Sequence, residues 1–511
     1  MLLPLMGLAF AIIDRQPDAF TGKVSTIEDL VSGAGVGVLL LRSVALAVSV
    51  SIGSVLCGGW LAWVEHRTKV PRWWALITLL PLAMPSYIVA ATLRSALSPG
   101  GWIGSTLSLP HMTGFGVAVI VLTVITAPLS QLIIGAALRN TSPAEEEAAR
   151  SLGASPQRVF RTVTFPRLRP AIGFSGLLAL LYAISDFGAV AVLDVPVLTW
   201  RLYLAVENQD VARAAILGGA TLLATLPLFL ATRWLRGTQI HSGVANRRLI
   251  TRKTANPTHR WITIAVLALV VGVGVLIPIS TMGGWVMDGL RRDLSFVNPM
   301  GALLDTTGAA LAGALLTVLL ATLPAWAVVT RQRKQQGGGW LEDGVYLTSA
   351  LPGVLLALGL MLAALQFAPT FGSGTYGLLL GSGTLLMIGY STRYVAEVFA
   401  PLRVAFQGLD PRQIESARVL GASPLRRFQT VVLPSIAPGV AVAFVIGFNA
   451  IVKELPVTLL LGSATGLRTL SFRIWDRYNE SLWHDAGVAG LLLVLLAFAS
   501  AACTVRWRQS A

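Results

Sequence analysis

The chain has 511 residues, 54% of them hydrophobic and 12% charged, with 39 Lys and Arg against 24 Asp and Glu and a formal net charge of +15. Charged residues approach about a quarter of a self-solvating globular protein, so this composition excludes a soluble enzyme and indicates an integral membrane protein. Nucleic-acid binding is the weaker reading of the basic excess, because the cations are dispersed among membrane loops.

The two cysteines, Cys57 and Cys503, each lie in an apolar run, and the five histidines show no metal-ligand spacing. Neither disulfides nor a structural zinc is expected. The chain opens with an apolar stub, Met1 to Ile13, without a basic leader or a convincing small-residue cleavage site. Leu2 to Asp14 is similar to Leu276 to Asp288. The stub therefore reads as a first helix missing its beginning, or one that enters the bilayer only partway.

Runs of about 20 apolar residues, enough to cross the hydrocarbon, follow at Val36 to Val64, Trp73 to Leu97, Gly114 to Leu138, Ala171 to Leu193 and Ala212 to Leu235. A second set covers Trp261 to Trp285, Ala302 to Val329, Val345 to Phe367, Gly377 to Phe399, Gly439 to Leu461 and Ala486 to Val505. With the stub this predicts an all-α integral membrane protein of about 12 transmembrane helices, six plus six. The expected division is a first repeat over 1–240, a cytoplasmic linker over 241–260 and a second repeat over 261–511. Pro81 and Pro85 in "LLPLAMPSY" and Pro352 in "SALPGVLLALG" interrupt corresponding spans, either as borders of a substrate path or as plain kinks.

Lys and Arg concentrate after every second span: Arg67, Lys69 and Arg72; Arg139 through Arg169; Arg233 through Arg260; Arg331, Arg333 and Lys334; Arg403 through Arg427; Arg506 and Arg508. The positive-inside rule makes these segments cytoplasmic. Asn246 and the carboxyl terminus are then cytoplasmic, and Ser98 to Thr113 and Asp194 to Asp210 face outward.

Two cytoplasmic loops carry the same text. "EAARSLGASPQRVFRTVTFPRLRP" from Glu147 and "ESARVLGASPLRRFQTVVLPSIAP" from Glu415 share fourteen identical positions at an offset of 415 − 147 = 268. Each reads as a helical hairpin. Ser142 or Asp410 caps a helix that opens on Pro143 or Pro411, carries Glu145 to Glu147 or Glu415, and stops at Gly153 or Gly421. A second short helix starts at Ser155-Pro156 or Ser423-Pro424 and ends before Pro166 or Pro434. Such a knob is either a solvated connector or a lever; its duplication, with more identities than the flanking spans retain, favours the lever. Glu147 and Arg150 suit polar contacts on a docking surface, and Leu152 and Phe160 an apolar anchor.

The pattern E-x-A-x-x-L-G-A-S-x-x-x-x-F-x-x-V-x-x-P resembles the EAA loop of membrane permeases of binding-protein-dependent ABC importers. Over nearly its whole length the chain is similar to the fused permeases of the iron(III) importer group, which includes thiamine permeases. "SDFGAVAVLDVP" (Ser185 to Pro196) and "KELPVTLLLGSATGLRTL" (Lys453 to Leu470) resemble the iron-type permeases in particular. The resemblance implies the type I ABC importer permease fold, a bacterial cytoplasmic (inner) membrane location, and partners: two copies of a cytoplasmic P-loop ATPase, an extracytoplasmic solute-binding protein and membrane lipid, with no nucleic acid. It further implies ATPase coupling through Glu147, Ala149, Arg150, Leu152, Gly153, Ser155, Pro156 and Phe160, and through Glu415, Ala417, Arg418, Leu420, Gly421, Ser423, Pro424 and Phe428. The chain lacks a G-x-x-x-x-G-K-[ST] phosphate loop. It is expected to hold no cofactor and not to be an enzyme, ATP and magnesium being bound by the partner ATPase. Iron(III) is the expected cargo, with thiamine, polyamine or phosphonate as alternatives.

Asp186 aligns with Glu454, since 454 − 186 = 268, so each fifth span is expected to carry one carboxylate, and Lys453 neighbours the second. Ionisable groups at membrane depth usually face a cavity or a partner. Asp186, Lys453 and Glu454 are therefore translocation-pathway candidates, or else a packing ion pair of Lys453 with Asp186. Arg393 is either a pathway residue or a snorkelling anchor. A membrane enzyme or scaffold is the other function class; the sequence shows no metal-ligand cluster or nucleophile–base pair that would serve it.

Overall fold

Small residues let the long helices approach closely. In the first half a Cβ on Gly58 of the Val36–Arg67 helix would meet the Ala127 carbonyl oxygen of Phe115–Arg139 at 2.2 Å. Ser54 and Ser130 hydrogen-bond between the same helices at 2.8 Å. In the second half, Gly313 of Met300–Arg333 receives the Tyr390 ring of Thr384–Gln407. Packing of this kind replaces the hydrophobic drive that helices lack in lipid. The opposite faces carry uncovered large side chains, among them Leu41, Ile52 and Leu56, and Leu304, Leu319 and Leu323, as a bilayer-facing surface requires.

The computed structural model describes residues 35–71, 73–108, 112–139, 141, 143–238, 257–334, 339–349, 351–367, 370, 372 and 374–510; of these, the side chains of 107, 143, 234–238, 257–259, 349, 464 and 501–510 are not described. The stub at Met1 to Ile13, Asn246 and the proposed cap Ser142 lie outside them. By contacts the described residues form two compact units that divide between Gly284 and Trp285. That division falls inside a helix. The Arg260–Arg291 helix packs its Val270 with Leu61, Trp74 and Ala127 of the first unit, and Thr263 accepts a hydrogen bond from Trp60 at 3.1 Å.

Among the described residues eight helices are long and apolar enough to cross a membrane, and two bent pairs raise the number to ten. Thr384–Gln407 supplies an eleventh helix, whose Arg393, Glu397 and Arg403 dilute its apolar character. Each of the eleven predicted spans thus has a helix; the expected twelfth, at the stub, lies outside the described residues. The interruptions at Pro85 and Pro352 are sharp. Trp74–Ala83 and Ser86–Thr106 meet at 94°, Gly339–Thr348 and Gly353–Phe367 at 96°.

Three expectations are corrected. The second hairpin helix does not end before Pro166 or Pro434; the chain runs helically from Pro156 to Ser185 and from Pro424 to Val452. Both helices pass through a π turn, Phe160–Thr164 and Phe428–Val432, in which Phe165 and Leu433 donate to the carbonyls five residues back. This wider turn relieves the clash of the proline ring with the carbonyl four residues earlier. The span read from Gly377 to Phe399 is shifted to Thr384–Gln407, because Gly383 at φ 75° separates it from Thr375–Gly381. Finally, the spans read through Asp186 and Glu454 stop at Ser185 and Val452. The two carboxylates sit in breaks, not within helices.

Candidate functional site

The two loop helices, Pro143–Ser151 and Pro411–Val419, close alike. Gly153 stands at φ 83° and Gly421 at φ 77°, the left-handed conformation that glycine adopts without a Cβ penalty. Gly153 N–H donates to Arg150 O at 2.9 Å and Ala154 N–H to Ala149 O at 3.0 Å; Gly421 to Arg418 O and Ala422 to Ala417 O repeat this at 3.0 Å each. These pairs are the two bonds of a Schellman closure. Ser155 and Ser423 then cap the next helix, accepting from the N–H of Arg158 at 3.4 Å and of Arg426 at 3.3 Å, with Pro156 and Pro424 in its first turn. Asp410 accepts from Arg412 N–H at 2.9 Å, as a cap should.

The closure pushes a leucine outward at each tip, Leu152 at 88% and Leu420 at 85% exposure. Glu147, Glu415 and Arg418 are exposed beside them, and Ala149 and Ala417 are half-buried. Leu152 anchors nothing within the described chain. Phe160, itself 37% exposed, does: its ring lies edge-on to Trp63 at 5.4 Å, and Phe428 is 44% exposed. An exposed leucine flanked by charges on a rigid stalk is a surface suited to a partner.

Glu146 was not foreseen from the sequence as a buried residue. Only 5% exposed, its carboxylate accepts from Arg67 Nη1 at 2.8 Å and from Arg67 Nη2, from Thr164 Oγ1 at 2.9 Å and from Arg150 Nη2 at 3.4 Å. Burial pushes its pKa up, but the hydrogen bonds and charge of Arg67, with Thr164 and Arg150, outweigh this and hold it below the ordinary value. A signal was present. The residue 268 positions on is Ile414, so this helix face is an inward one. In the second half Ile414 packs on a cluster that contains Phe406, Leu409 and Val432. Arg333 there donates to the carbonyls of Phe406 at 3.1 Å and Gln407 at 3.2 Å, and Arg403 pairs with Glu342.

The broken spans form the second constellation. In the first unit Asp186, 9% exposed, accepts from Ser86 Oγ at 2.6 Å and from Ala189 N–H at 2.9 Å. It bridges the starts of the helices Ser86–Leu97 and Gly188–Val192. Glu454, 6% exposed, repeats the arrangement: it accepts from Val457 N–H at 3.1 Å and from the Tyr394 hydroxyl. A Cβ on Gly353, the first residue of Gly353–Phe367, would lie 3.1 Å from its Oε1. Thr199 and Ser471 donate to the backbone carbonyls of Asp186 at 2.8 Å and Glu454 at 3.0 Å. Each carboxylate thus answers the free N–H groups and positive dipole end of a short helix.

Arg393 joins the second of these sites, donating from Nη1 to Leu351 O at 2.9 Å at the Pro352 break. Lys453 is half-buried at the end of Leu433–Val452, directly before Glu454. The first half differs at these positions: the residues 268 positions before Tyr390, Arg393 and Tyr394 are Leu122, Ile125 and Thr126, and its arginine in the Ser86–Leu97 helix is Arg94, which donates to Val192 O. Tyr394 and Ser86 were missed as carboxylate partners, because nothing in their local sequence marks them.

The sequence matches the family described as binding-protein-dependent transport system inner membrane component twice, over residues 54–238 and 325–508. It is 27% identical over 464 residues, 89% of this chain and 87% of the relative, to the Fe(3+)-transport system permease protein FbpB 2 of Haemophilus influenzae. To the ferric transport system permease protein FbpB of Actinobacillus pleuropneumoniae it is 25% identical over 519 residues, 94% of this chain and 73% of that one. A shorter match, 32% identical over 191 residues, covers 34% of this chain and 66% of the probable sulfate transport system permease protein cysT of Nephroselmis olivacea.

Proposed function

Because the chain belongs to the family of binding-protein-dependent transport system inner membrane components, matched over both of its halves, we propose that it is the duplicated permease of an iron(III) importer, driven by two copies of a cytoplasmic ATPase. The family makes it a multi-pass inner membrane permease, not an enzyme, that works with a solute-binding protein and an ATPase. The cargo is taken from the ferric permeases it resembles along most of its length. ATP and magnesium belong to the partner chains.

The observation that carries the reading is the pair of loop helices, closed by the same hydrogen bonds and each ending in an uncovered leucine. Two equivalent surfaces on one chain suit two equivalent partners. Glu147, Ala149, Arg150, Leu152 and Phe160, with Glu415, Ala417, Arg418, Leu420 and Phe428, form the coupling surfaces; Gly153, Ser155 and Pro156, with Gly421, Ser423 and Pro424, hold their shape. Asp186, Glu454, Lys453 and Arg393 border the path, at breaks that free backbone groups to line a cavity.

The test reconstitutes the permease with its ATPase and binding protein and measures uptake of radiolabelled iron(III) in parallel with thiamine, a polyamine, a phosphonate and sulfate. Iron uptake with ATPase binding that is lost on deleting both loop helices is expected. Retained ATPase binding would end the coupling assignment, and uptake of another solute would replace the cargo. Asp186→Asn and Glu454→Gln keep an acceptor for the short helix and remove the charge. Unchanged iron uptake in both would remove these residues from the path.

A further inference from the structure

Glu146 and its surroundings set the two loops apart at the joint with the bundle. The first loop helix presents Glu147 outward and Glu146 inward, one residue apart. Glu146 meets three elements: Arg67 is the last residue of Val36–Arg67, Thr164 closes the π turn of the span that follows, and Arg150 lies one turn on in the loop helix itself. Arg67 is held in turn. Its guanidinium lies 5.1 Å over the Trp63 ring, and Trp63 meets Phe160 edge-on. A two-point guanidinium–carboxylate contact fixes orientation as well as distance.

At the offset of 268 residues Glu146 becomes Ile414 and Thr164 becomes Val432. Both apolar residues join one cluster, with Val432 5% exposed. Two of the polar partners have been exchanged together for apolar ones, while Arg67 and Arg150 have the polar Gln335 and Arg418 at the same offset, and Glu147 and Leu152 on the outer face keep their counterparts Glu415 and Leu420. What is common to the two joints is the mechanical connection; what differs is its chemistry.

We propose that Glu146 is the positioning residue of the first loop, passing displacement of the loop helix through Arg67 into the Val36–Arg67 helix, and that Ile414 with Val432 performs the same task in the second half by apolar contact. This rests on the coupling reading given above. A connector that merely filled space would tolerate loss of the charge pair without any change in the ratio of transport to hydrolysis.

The experiment uses the complete transporter in proteoliposomes and reads iron(III) taken up per ATP hydrolysed, with co-purification of the ATPase as the measure of docking. Glu146→Gln is expected to lower that ratio about tenfold, within the range typical of coupling energies, while the ATPase still co-purifies. A triple variant, Glu146→Ile with Thr164→Val and Arg67→Met, installs the isoleucine and valine of the second half, removes the guanidinium that would be left unpaired, and is expected to return the ratio to within about twofold of the parent. Glu146→Gln at the parental ratio overturns the proposal, as does a triple variant that folds but stays uncoupled. Leu152→Asp separates the underlying reading: if it leaves both docking and the ratio intact, the loop is not the coupling surface; if it abolishes docking while Glu146→Gln changes nothing, only the joint is refuted.

Discussion

The two loops agree on their outer faces and differ beneath. Both end in the same Schellman closure with a leucine in the open, yet the first is fastened by a buried carboxylate with four donor contacts and the second by Ile414 on an apolar cluster. The residues of the two outer faces follow one pattern. Residues that meet only their own half are free to change, provided their neighbours change with them. The same rule fits the broken spans, where Asp186 and Glu454 perform the same cap although one is held by Ser86 and the other by Tyr394.

The comparison is broken most severely by changing one partner alone. Glu146→Ile leaves the Arg67 guanidinium buried beside an apolar group, and should cost about 3 to 5 kcal/mol, the typical penalty for breaking a buried pair, read as thermal unfolding in detergent. The reciprocal Ile414→Glu places a carboxylate against Leu409 and Val432 at a half-buried site, and should cost about 2 kcal/mol. If Ile414→Glu is neutral, the second joint is not apolar in the sense described here.

A smaller and symmetric effect is expected at the closures. Gly153→Val and Gly421→Val force a β-branched residue into the left-handed region, at roughly 1 to 2 kcal/mol each. Equal losses of stability in the two variants sharpen the view that the outer faces are equivalent; a loss in one loop only contradicts it.

The smallest effect is that of pH. Glu146 has a folded-state pKa below the ordinary 4.5, so its contribution is complete above pH 4.5 and is lost as pH falls through the lower folded value. The groups that face it are Arg67, Arg150 and Thr164. Unfolding temperature against pH should therefore show an acid-side decline that the Glu146→Ile, Thr164→Val, Arg67→Met variant lacks. Identical profiles would mean that the carboxylate does not stabilise the joint.

Much of this was legible in the sequence because it rests on local chemistry. Apolar runs set the spans, Gly153 and Gly421 stop helices by backbone conformation, and Ser155-Pro156 and Ser423-Pro424 start them. What was not legible depends on contacts distant in the chain. The spans through Asp186 and Glu454 read as continuous because Phe187 to Leu193 and Leu455 to Leu461 are largely apolar, while the break is set by side-chain capping and by Ser86, 100 positions away. Pro166 and Pro434 read as helix stops because proline usually is one; the π turn that accommodates each has no signature in composition. Glu146 looked like one of three acidic residues in a first turn, until its counterpart Ile414 was taken into account.

The π turns at Phe160–Thr164 and Phe428–Val432 have a consequence for phase. A helix that admits one extra residue in a turn advances its side chains by about 100° relative to an uninterrupted α-helix. The loop end of each of these helices is thus set at a different azimuth from its membrane end, and the setting is stored as a residue count. Deleting one residue, Thr162 or Thr430, would let the turn relax to α and swing the loop helix about 100° around the axis of its span, with its composition otherwise intact. The leucine at the tip would then point elsewhere. For these loops the direction in which the tip faces is written in the number of residues.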